Sequence, residues 1–406
     1  MTFSLGWKIA VAAVVAALCN TSAFAQKAYD PGASDTEIRI GNISPYSGPA
    51  SPYSTIAKAE AGYFKMINER GGINGRKINF ISYDDAYSPP KTVEQARKLV
   101  ESDEVLLLFA NVGTPGNTAI QRYLNSKKVP QLLNLSGADK WADPAHFPWT
   151  MGFLPSYRAE ARIYASYILS TEPNARIGVL YQNDDFGKEY VAGLREGLGD
   201  KAKQMIVSEI PFEVTAPTIE SEIARVKSAD PTVLMSFATS KFVAQAIKRT
   251  GELGWKVTHI VSQVSTSIAG VIKPAGPESA KGLLSSYYLK DPVDPKWKDD
   301  PAMNDWRVFM DRYLPDADKA DSFYVAGYAI SQIMVQILEQ CGDDLTRANV
   351  MRQAASLNMD VKGLLPGIRV KTGPDDYRPL EQLQMMRFSG EQWELIGSVL
   401  TNGNSM

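Results

Sequence analysis

Three sets of residues have types and spacings that also occur in enzyme active sites. Ser88-Pro89-Pro90-Lys91 matches the S-x-x-K pattern and Lys371-Thr372-Gly373 matches K-T-G, two of the motifs of serine β-lactamases. The context does not fit, because the only S-x-N triplet, Ser356-Leu357-Asn358, lies a short way before K-T-G. The prolines after Ser88 are typical of an ordinary helix start. We therefore expect no serine nucleophile.

Paired aspartates and histidines are the other candidates for chemistry. Asp84-Asp85 and Asp184-Asp185 have the residue types of a general acid and base, but each pair follows a strand end, where acids commonly cap the next helix. The only histidines, His146 and His259, are far apart and do not form a zinc motif. The sequence thus predicts no catalytic residue, no metal site and no cofactor.

A ligand-binding function is better supported, beginning with the stretch Ile38 to Tyr53. Alternating apolar residues predict a strand, and a loop of Ser, Pro and Gly then leads into a helix over Ser54 to Glu69. In a doubly wound sheet, the loop after the first strand faces the crevice where ligands bind, and the helix offers free N–H groups. A small polar or anionic ligand is expected there.

The N-terminus and the composition limit where the protein acts and what it binds. Lys8, the apolar run Ile9 to Leu18 and the end Ala23-Phe24-Ala25 predict a signal peptide over residues 1–25, hence a soluble, exported protein. Removing it leaves Cys341 as the single cysteine, so no internal disulfide is expected. The net charge of −2, without a basic block, argues against a nucleic-acid partner.

Strand-like and helix-like segments alternate along the chain from Ser34 onward. Apolar strands followed by amphipathic helices predict parallel sheets covered on both faces, an α/β fold. The pattern is interrupted near residue 155 and then restarts, which predicts two similar lobes. The expected lobes are residues 35–155 plus about 288–360 and residues 156–287 plus about 361–400.

Four separated phrases resemble one protein family. They are the run that begins IGNISPYSGPASPYSTIAKAEAGYF, then LLLFANVGTPGNTAI, VLYQNDDFGKEYVAGL and VLMSFATSKFVAQAIKRTGELGW. Together they resemble the type I periplasmic solute-binding proteins of branched-chain amino acid and amide ABC transporters, a family that includes binders of aromatic acids. The resemblance covers about residues 35–400. It implies two Rossmann-like lobes with parallel central sheets, joined by three hinge crossovers, that close on one small ligand.

The resemblance also implies a set of binding residues. Two first-lobe loops would hold a ligand carboxylate, with Asn111 and Val112 beside the first of them; the holding residues are Gly113, Thr114, Ser136, Gly137 and Ala138. Thr114 could instead serve only to start a helix with Pro115. Aromatic cover would come from Tyr53 and Phe186, with Tyr46 and Tyr157 as further wall residues, unless these rings pack within their own lobes.

The second lobe indicates the ligand class through a departure from the family. Where amino-acid binders of this family have a tyrosine and an acid that pairs with the ammonium, this sequence has Thr239 or Ser240 and Gln263. A buried ammonium without a carboxylate partner is costly, unless Asp139 or Asp184 substitutes. We therefore expect an aromatic or hydrophobic carboxylate first, a branched-chain amino acid second, and an amide, urea-like compound or dicarboxylate third.

The resemblance further implies the partners. We expect a monomeric periplasmic protein that delivers its ligand to the membrane permease of an ABC importer. The same fold also serves in receptors, and the sequence leaves open a role as the ligand sensor of a signalling protein.

Overall fold

The computed structural model describes residues 27–401, so the expected signal peptide over residues 1–25 lies outside the described residues. Five parallel strands form the first sheet, in the order β2-β1-β3-β4-β5. In chain order they are β1 (Glu37–Ser44), β2 (Lys77–Asp84), β3 (Leu107–Phe109), β4 (Gln131–Asn134) and β5 (Thr150–Gly152). β3 and β4 are buried on both faces, and five of their seven side chains are apolar, the exceptions being Gln131 and Asn134 at the ends of β4.

The second sheet has seven strands, in the order β12-β11-β10-β9-β8-β6-β7. They are β6 (Ile177–Gln182), β7 (Ile206–Phe212), β8 (Val233–Phe237), β9 (Thr258–Val261), β10 (Leu284–Tyr287), β11 (Gln382–Phe388) and β12 (Trp393–Thr401). The strands from β6 to β10 are parallel, whereas β11 and β12 are antiparallel additions at one edge. The predicted α/β class with parallel central strands is therefore confirmed, and the antiparallel edge is a feature that the strand pattern did not predict.

Ten helices of eight or more α-helical residues cover the sheets of the described chain. They are α1 (Ser54–Glu69), α2 (Pro89–Arg97), α3 (Thr114–Ser126), α4 (Tyr157–Thr171), α5 (Asp185–Leu198), α6 (Glu220–Ser228), α7 (Ser240–Glu252), α8 (Pro301–Tyr313), α9 (Phe323–Cys341) and α10 (Arg347–Ala354). None of the described helices has the length and apolar character that crossing a membrane requires.

The remaining elements of the described chain are short. Two-residue strands pair Ala28–Tyr29 with Asp344–Leu345 and Asn358–Met359 with Val370–Lys371. The short helices are Ser51–Tyr53, Lys98–Ser102, Asp139–Ala142, Gly199–Lys201, Ala202–Met205, Gln263–Ser265, Ile268–Ile272, Lys273–Ala275, Pro277–Ala280 and Pro295–Trp297. Helix α2 begins at Pro89, because proline fits the first helical position, and it continues as a π-helical turn over Lys98–Ser102.

The chain passes between the two sheets three times, at residues 153–156, 288–300 and 355–381. Helix α9 packs on α1 of the first lobe, and α4 packs on α5 of the second. We call the first sheet with its helices, including α8 to α10, the first lobe and the second sheet with its helices the second lobe. The carboxyl ends of the central parallel strands of both lobes face one crevice, where doubly wound sheets bind ligands.

Candidate functional site

A cavity lies between the lobes at these strand ends. The space between the lining side chains is about 590 Å³, part of which is open to solvent. Seven aromatic residues line it: Tyr53, Tyr87, Tyr157, Phe186, Tyr287, Tyr288 and Phe323. The other lining residues are Ile56, Val112, Gly113, Thr114, Leu135, Leu154, Thr239, Gln263, Val264 and Ala326. The cavity is thus mainly aromatic and aliphatic, with few polar side chains.

The first-lobe wall of the cavity is built around the start of α3. Gly113 precedes the helix with a φ of 94°, and a Cβ there would come within 2.4 Å of the Tyr87 ring, so only glycine fits. Pro115 follows Thr114 in the first turn. This backbone turn brings Thr114 to the cavity at a helix N-terminus, a position that favours an anion.

A chain of hydrogen bonds orients the Thr114 hydroxyl. Ser136 Oγ accepts from the indole Nε1 of Trp141 at 2.8 Å and from the Ala138 amide at 3.4 Å, and it lies 2.7 Å from Thr114 Oγ1. The indole and the amide can only donate, so Ser136 can use its own proton to donate to Thr114. The Thr114 proton is then free to donate to a ligand in the cavity.

Three residues that we expected to contact a ligand carboxylate have other hydrogen bonds or other positions in the structure. The Gly113 amide donates to the Leu135 carbonyl at 3.2 Å, so this N–H is already used by the strand-end pairing and is not free for an anion. Gly137 and Ala138 line a separate, smaller cavity with Ser136, behind the Thr114 hydroxyl. The Gly137 carbonyl accepts from the Tyr157 amide at 2.8 Å, which holds this residue against the start of α4.

Asn111 is also a structural residue in this arrangement, although its neighbour Val112 lines the cavity. Its side-chain Oδ1 accepts from the Ile43 amide at 2.9 Å, and its carbonyl accepts from the Leu135 amide and from Asn117 Nδ2. Asn111 therefore ties together the ends of neighbouring strands and positions the Thr114 turn.

The second-lobe wall carries Thr239 and Gln263. Thr239 Oγ1 donates to Gln182 Oε1 at 3.1 Å, which uses its only proton. Gln263 is fully buried, and neither atom of its carboxamide has a hydrogen-bond partner. Ser240 is buried behind the wall and does not line the cavity. The second-lobe wall therefore presents neutral polar groups. Among them, the side-chain carboxamide of Gln263 is unpaired.

No charged side chain lines the cavity among the described residues. Asp184 caps α5, accepting from the Gly187 amide at 3.2 Å and from Gln182. Asp139 accepts from Ser156 Oγ at 2.5 Å and faces the smaller cavity near Arg378. Neither carboxylate is placed to pair with an ammonium in the main cavity.

The nearest buried acid on the second lobe is Glu160, behind Gln263. Its oxygens accept from Tyr164 Oη at 2.5 Å, Tyr190 Oη at 2.7 Å and the Gln263 amide at 2.8 Å. Burial raises the pKa of the Glu160 carboxyl to about 7, because desolvation disfavours the charged form. Glu160 is enclosed by its own partners and does not line the cavity.

Tyr53 connects the lobes. Its ring lines the cavity 5.0 Å from the Phe323 ring, measured between centroids, while its hydroxyl accepts from the Ser240 amide at 3.1 Å. Ser265 Oγ lies 3.4 Å away and donates to the Ala238 carbonyl, so Tyr53 donates to Ser265. The expected wall residue Tyr46 is elsewhere, 37% exposed and bonded to Ser82 Oγ, because the loop turns it toward β2.

At the rim, the lobes also meet through Asp185. Its carboxylate accepts from Lys140 Nζ at 2.6 Å and from Thr118 Oγ1 at 3.2 Å, both on the first lobe. Lys140 and Asp185 remain partly exposed, with 32% and 42% of the side-chain surface accessible. The structure therefore shows the lobes in contact on both sides of the cavity.

Comparison with known sequences decides the family. A family model described as "periplasmic binding protein" matches residues 37–392. The chain belongs to the periplasmic binding protein family. Among curated relatives, the Leu/Ile/Val-binding protein of Escherichia coli K12 is 24% identical over 277 residues, which cover 61% of this chain and 66% of that protein. The match thus spans less than two thirds of that relative's length.

Solved structures confirm the fold of this periplasmic binding protein. A branched-chain amino acid ABC transporter protein of Thermus thermophilus with bound valine has a TM-score of 0.79 at 18% identity, covering 91% of this chain and 97% of that one. A solute-binding protein of R. palustris in complex with benzoate has a TM-score of 0.75 at 19% identity, covering 90% and 98%. At these identities the likeness establishes the fold alone.

Sequence reasoning missed several lining residues of this binding protein. Tyr87 follows β2, so its place after a strand was a usable signal. Tyr287 and Tyr288 lie at the second passage between the lobes, and Phe323 starts α9. Tyr287 and Tyr288 lie at the carboxyl end of β10, so their place at a strand end was also a usable signal, whereas Phe323 reaches the cavity only when the C-terminal segment returns to the first lobe.

Proposed function

We propose that this protein captures a small carboxylate with an aromatic or hydrophobic body and delivers it to the membrane permease of an ABC importer. The observation that carries the proposal is a neutral, aromatic cavity with one oriented donor, the Thr114 hydroxyl, at a helix N-terminus. The role is binding rather than catalysis. In this proposal residues 1–25 direct export to the periplasm, and the protein acts there as a monomer.

The ligand class follows from charge. A carboxylate can accept from the Thr114 hydroxyl and is favoured by the helix N-terminus, and an apolar body is buried by the aromatic walls. A zwitterionic amino acid would bury its ammonium without a carboxylate partner, since none of the described lining residues is acidic. This contrast ranks aromatic and other hydrophobic carboxylates first.

Branched-chain amino acids remain the second candidate because a curated relative is named a Leu/Ile/Val-binding protein and a neighbouring structure holds valine. The neighbour with benzoate supports the first candidate. The alternative role, a ligand sensor for a signalling receptor, would use the same cavity. Neighbouring genes for permeases and ATPases would favour transport, and a lone histidine kinase gene would favour sensing.

A thermal-shift screen of the purified protein tests the proposal. The panel contains benzoate and cinnamate, leucine and valine, urea and acetamide, and succinate. A ligand at about 100 times its dissociation constant should add about 2.7 kcal/mol to the free energy of unfolding. Aromatic acids should raise the melting temperature most. If leucine or succinate shifts it and no aromatic acid does, the proposed ligand class is wrong.

A further inference from the structure

The Gln263 carboxamide is a buried polar group without a partner. The residue is 0% exposed, and neither Oε1 nor Nε2 has a partner at good hydrogen-bond geometry within the described protein, although the side chain lies near the Glu160 carboxyl. Leaving such a group unpaired away from water destabilises the protein, so a partner for it is favoured. Because Gln263 also lines the ligand cavity, a ligand can supply the missing partners.

The backbone around Gln263 is held in place, so its side chain starts from a fixed position. The Gln263 amide donates to Glu160 Oε1 at 2.8 Å, and its carbonyl accepts from Thr266 Oγ1 at 2.9 Å. Ser262 and Ser265 both donate to the Ala238 carbonyl, at 3.2 and 2.8 Å. A ligand group that meets the carboxamide therefore meets a donor and an acceptor carried by a fixed stretch of backbone.

Neighbouring groups are already committed. The Thr239 proton is used by Gln182, and both oxygens of Glu160 are enclosed by Tyr164, Tyr190 and the Gln263 backbone. No charge among the described lining residues would stabilise a second charged group on the ligand. A neutral group that can both donate and accept is therefore the partner that matches Gln263 best.

A hydroxyl meets both conditions, whereas an ammonium can only donate and a carboxylate can only accept. The seven aromatic lining residues favour a flat ring as its carrier. Building on the proposed function, we propose that the ligand is a ring-hydroxylated aromatic acid. Its carboxylate lies at Thr114 on the first-lobe wall, and its hydroxyl pairs with the Gln263 carboxamide on the second-lobe wall. Two adjacent hydroxyls can serve Oε1 and Nε2 together.

Calorimetry with a graded set of ligands tests this assignment. The set is benzoate, 3-hydroxybenzoate, 4-hydroxybenzoate and 3,4-dihydroxybenzoate, with cinnamate and its 4-hydroxy and 3,4-dihydroxy forms as a longer series. Each series is measured on the wild type, on Gln263→Met and on Gln384→Met. Methionine keeps the length of the side chain and removes both polar atoms. Gln384 bonds the Gly397 carbonyl outside the cavity and serves as the matched control.

The wild type and Gln384→Met should bind the best hydroxylated acid about tenfold more tightly than its unsubstituted parent, as expected for one added hydrogen bond. In Gln263→Met the ratio should fall to about one. Equal affinities for parent and hydroxylated acids in the wild type, or an unchanged ratio in Gln263→Met, would overturn the inference alone. If 4-carbamoylbenzoate is preferred instead and the preference depends on Gln263, the hydroxyl assignment is wrong. Failure of every aromatic acid to bind would overturn the proposed function as well.

Discussion

The two walls of the cavity use their polar groups differently. On the first-lobe wall, Trp141 donates a hydrogen bond to Ser136, and Ser136 can donate one to Thr114. This arrangement leaves the Thr114 hydroxyl ready to donate to a ligand. On the second-lobe wall, the Thr239 hydroxyl already donates its proton to Gln182, and the side-chain carboxamide of Gln263 is unpaired. The first wall is thus prepared for an acceptor such as a carboxylate, and the second wall for a neutral group.

This difference explains how one cavity can hold an anion without a cation nearby. A single oriented hydroxyl and a helix N-terminus stabilise negative charge at one side. The opposite side lacks any charge, within the described residues, that would attract an ammonium or repel an apolar ring. Changing the charge of the second wall should therefore have a larger effect than removing one donor from the first.

The Gln263→Glu substitution should give the largest effect. A carboxylate on the second wall would repel an aromatic carboxylate in a poorly solvated site, and we expect the affinity for benzoate to fall on the order of 100-fold at neutral pH. Burial would raise the pKa of the new carboxyl, so acidification should restore binding as it protonates. Calorimetry on Gln263→Glu and Gln263→Met separates charge from loss of the amide. Equal affinities of the two variants would contradict the account.

The next largest effect should come from Thr114→Val. The change keeps the shape and removes a hydrogen bond to a charged group, so carboxylate affinity should fall about 10- to 100-fold.

Ser136→Ala should lower the affinity less, about three- to tenfold, because it removes only the proton that orients Thr114. Dissociation constants for benzoate check the order. A larger loss in Ser136→Ala than in Thr114→Val would mean that Ser136 contacts the ligand directly.

Tyr53→Phe should lower the affinity for every ligand by a similar factor. It keeps the ring in the cavity and removes the hydroxyl that accepts from the Ser240 amide across the cleft. Because this contact stabilises the closed lobes and not one ligand, affinity should fall by a similar factor, about tenfold, for every acid tested. Small-angle scattering should show a larger radius of gyration without ligand. A loss confined to one ligand would instead make the hydroxyl a ligand contact.

The smallest effect should follow Asp185→Asn at the rim. The Lys140–Asp185 pair is partly exposed, and such pairs contribute about 0.2–1 kcal/mol. The affinity should fall by no more than about fivefold, and the difference from wild type should vanish at about 1 M salt, where the screening length is only about 3 Å. Calorimetry at low and high salt measures it. A loss as large as that of Thr114→Val would show that the rim pair controls binding.

Much of the architecture and part of the site could be predicted from the sequence. Apolar strands followed by helices marked both sheets, and strand ends marked Thr114, Phe186, Thr239 and Gln263, all of which line the cavity. These residues lie together because parallel strands bring the loops after their carboxyl ends to one edge, and their contact with a ligand stays a prediction. The two antiparallel edge strands carried no comparable signal, since pairing direction is not encoded in apolar periodicity.

The remaining differences concern which atoms are free. The Gly113 amide and the Ser136 hydroxyl are suitable donors in sequence, but the strand-end pairing and the Thr114 contact already occupy them. Phe323 reaches the cavity from the returning C-terminal segment. Hydrogen-bond commitments and lobe-to-lobe packing depend on the folded backbone, and no local pattern of residues specifies them.

One matched pair of ligands tests the central claim most directly. Phenylalanine and 3-phenylpropanoate share the carboxylate and the ring and differ only in the ammonium group. Calorimetry on the wild-type protein should show 3-phenylpropanoate binding on the order of 100-fold more tightly, because an ammonium in this cavity has no carboxylate partner. Equal or tighter binding of phenylalanine would contradict the account.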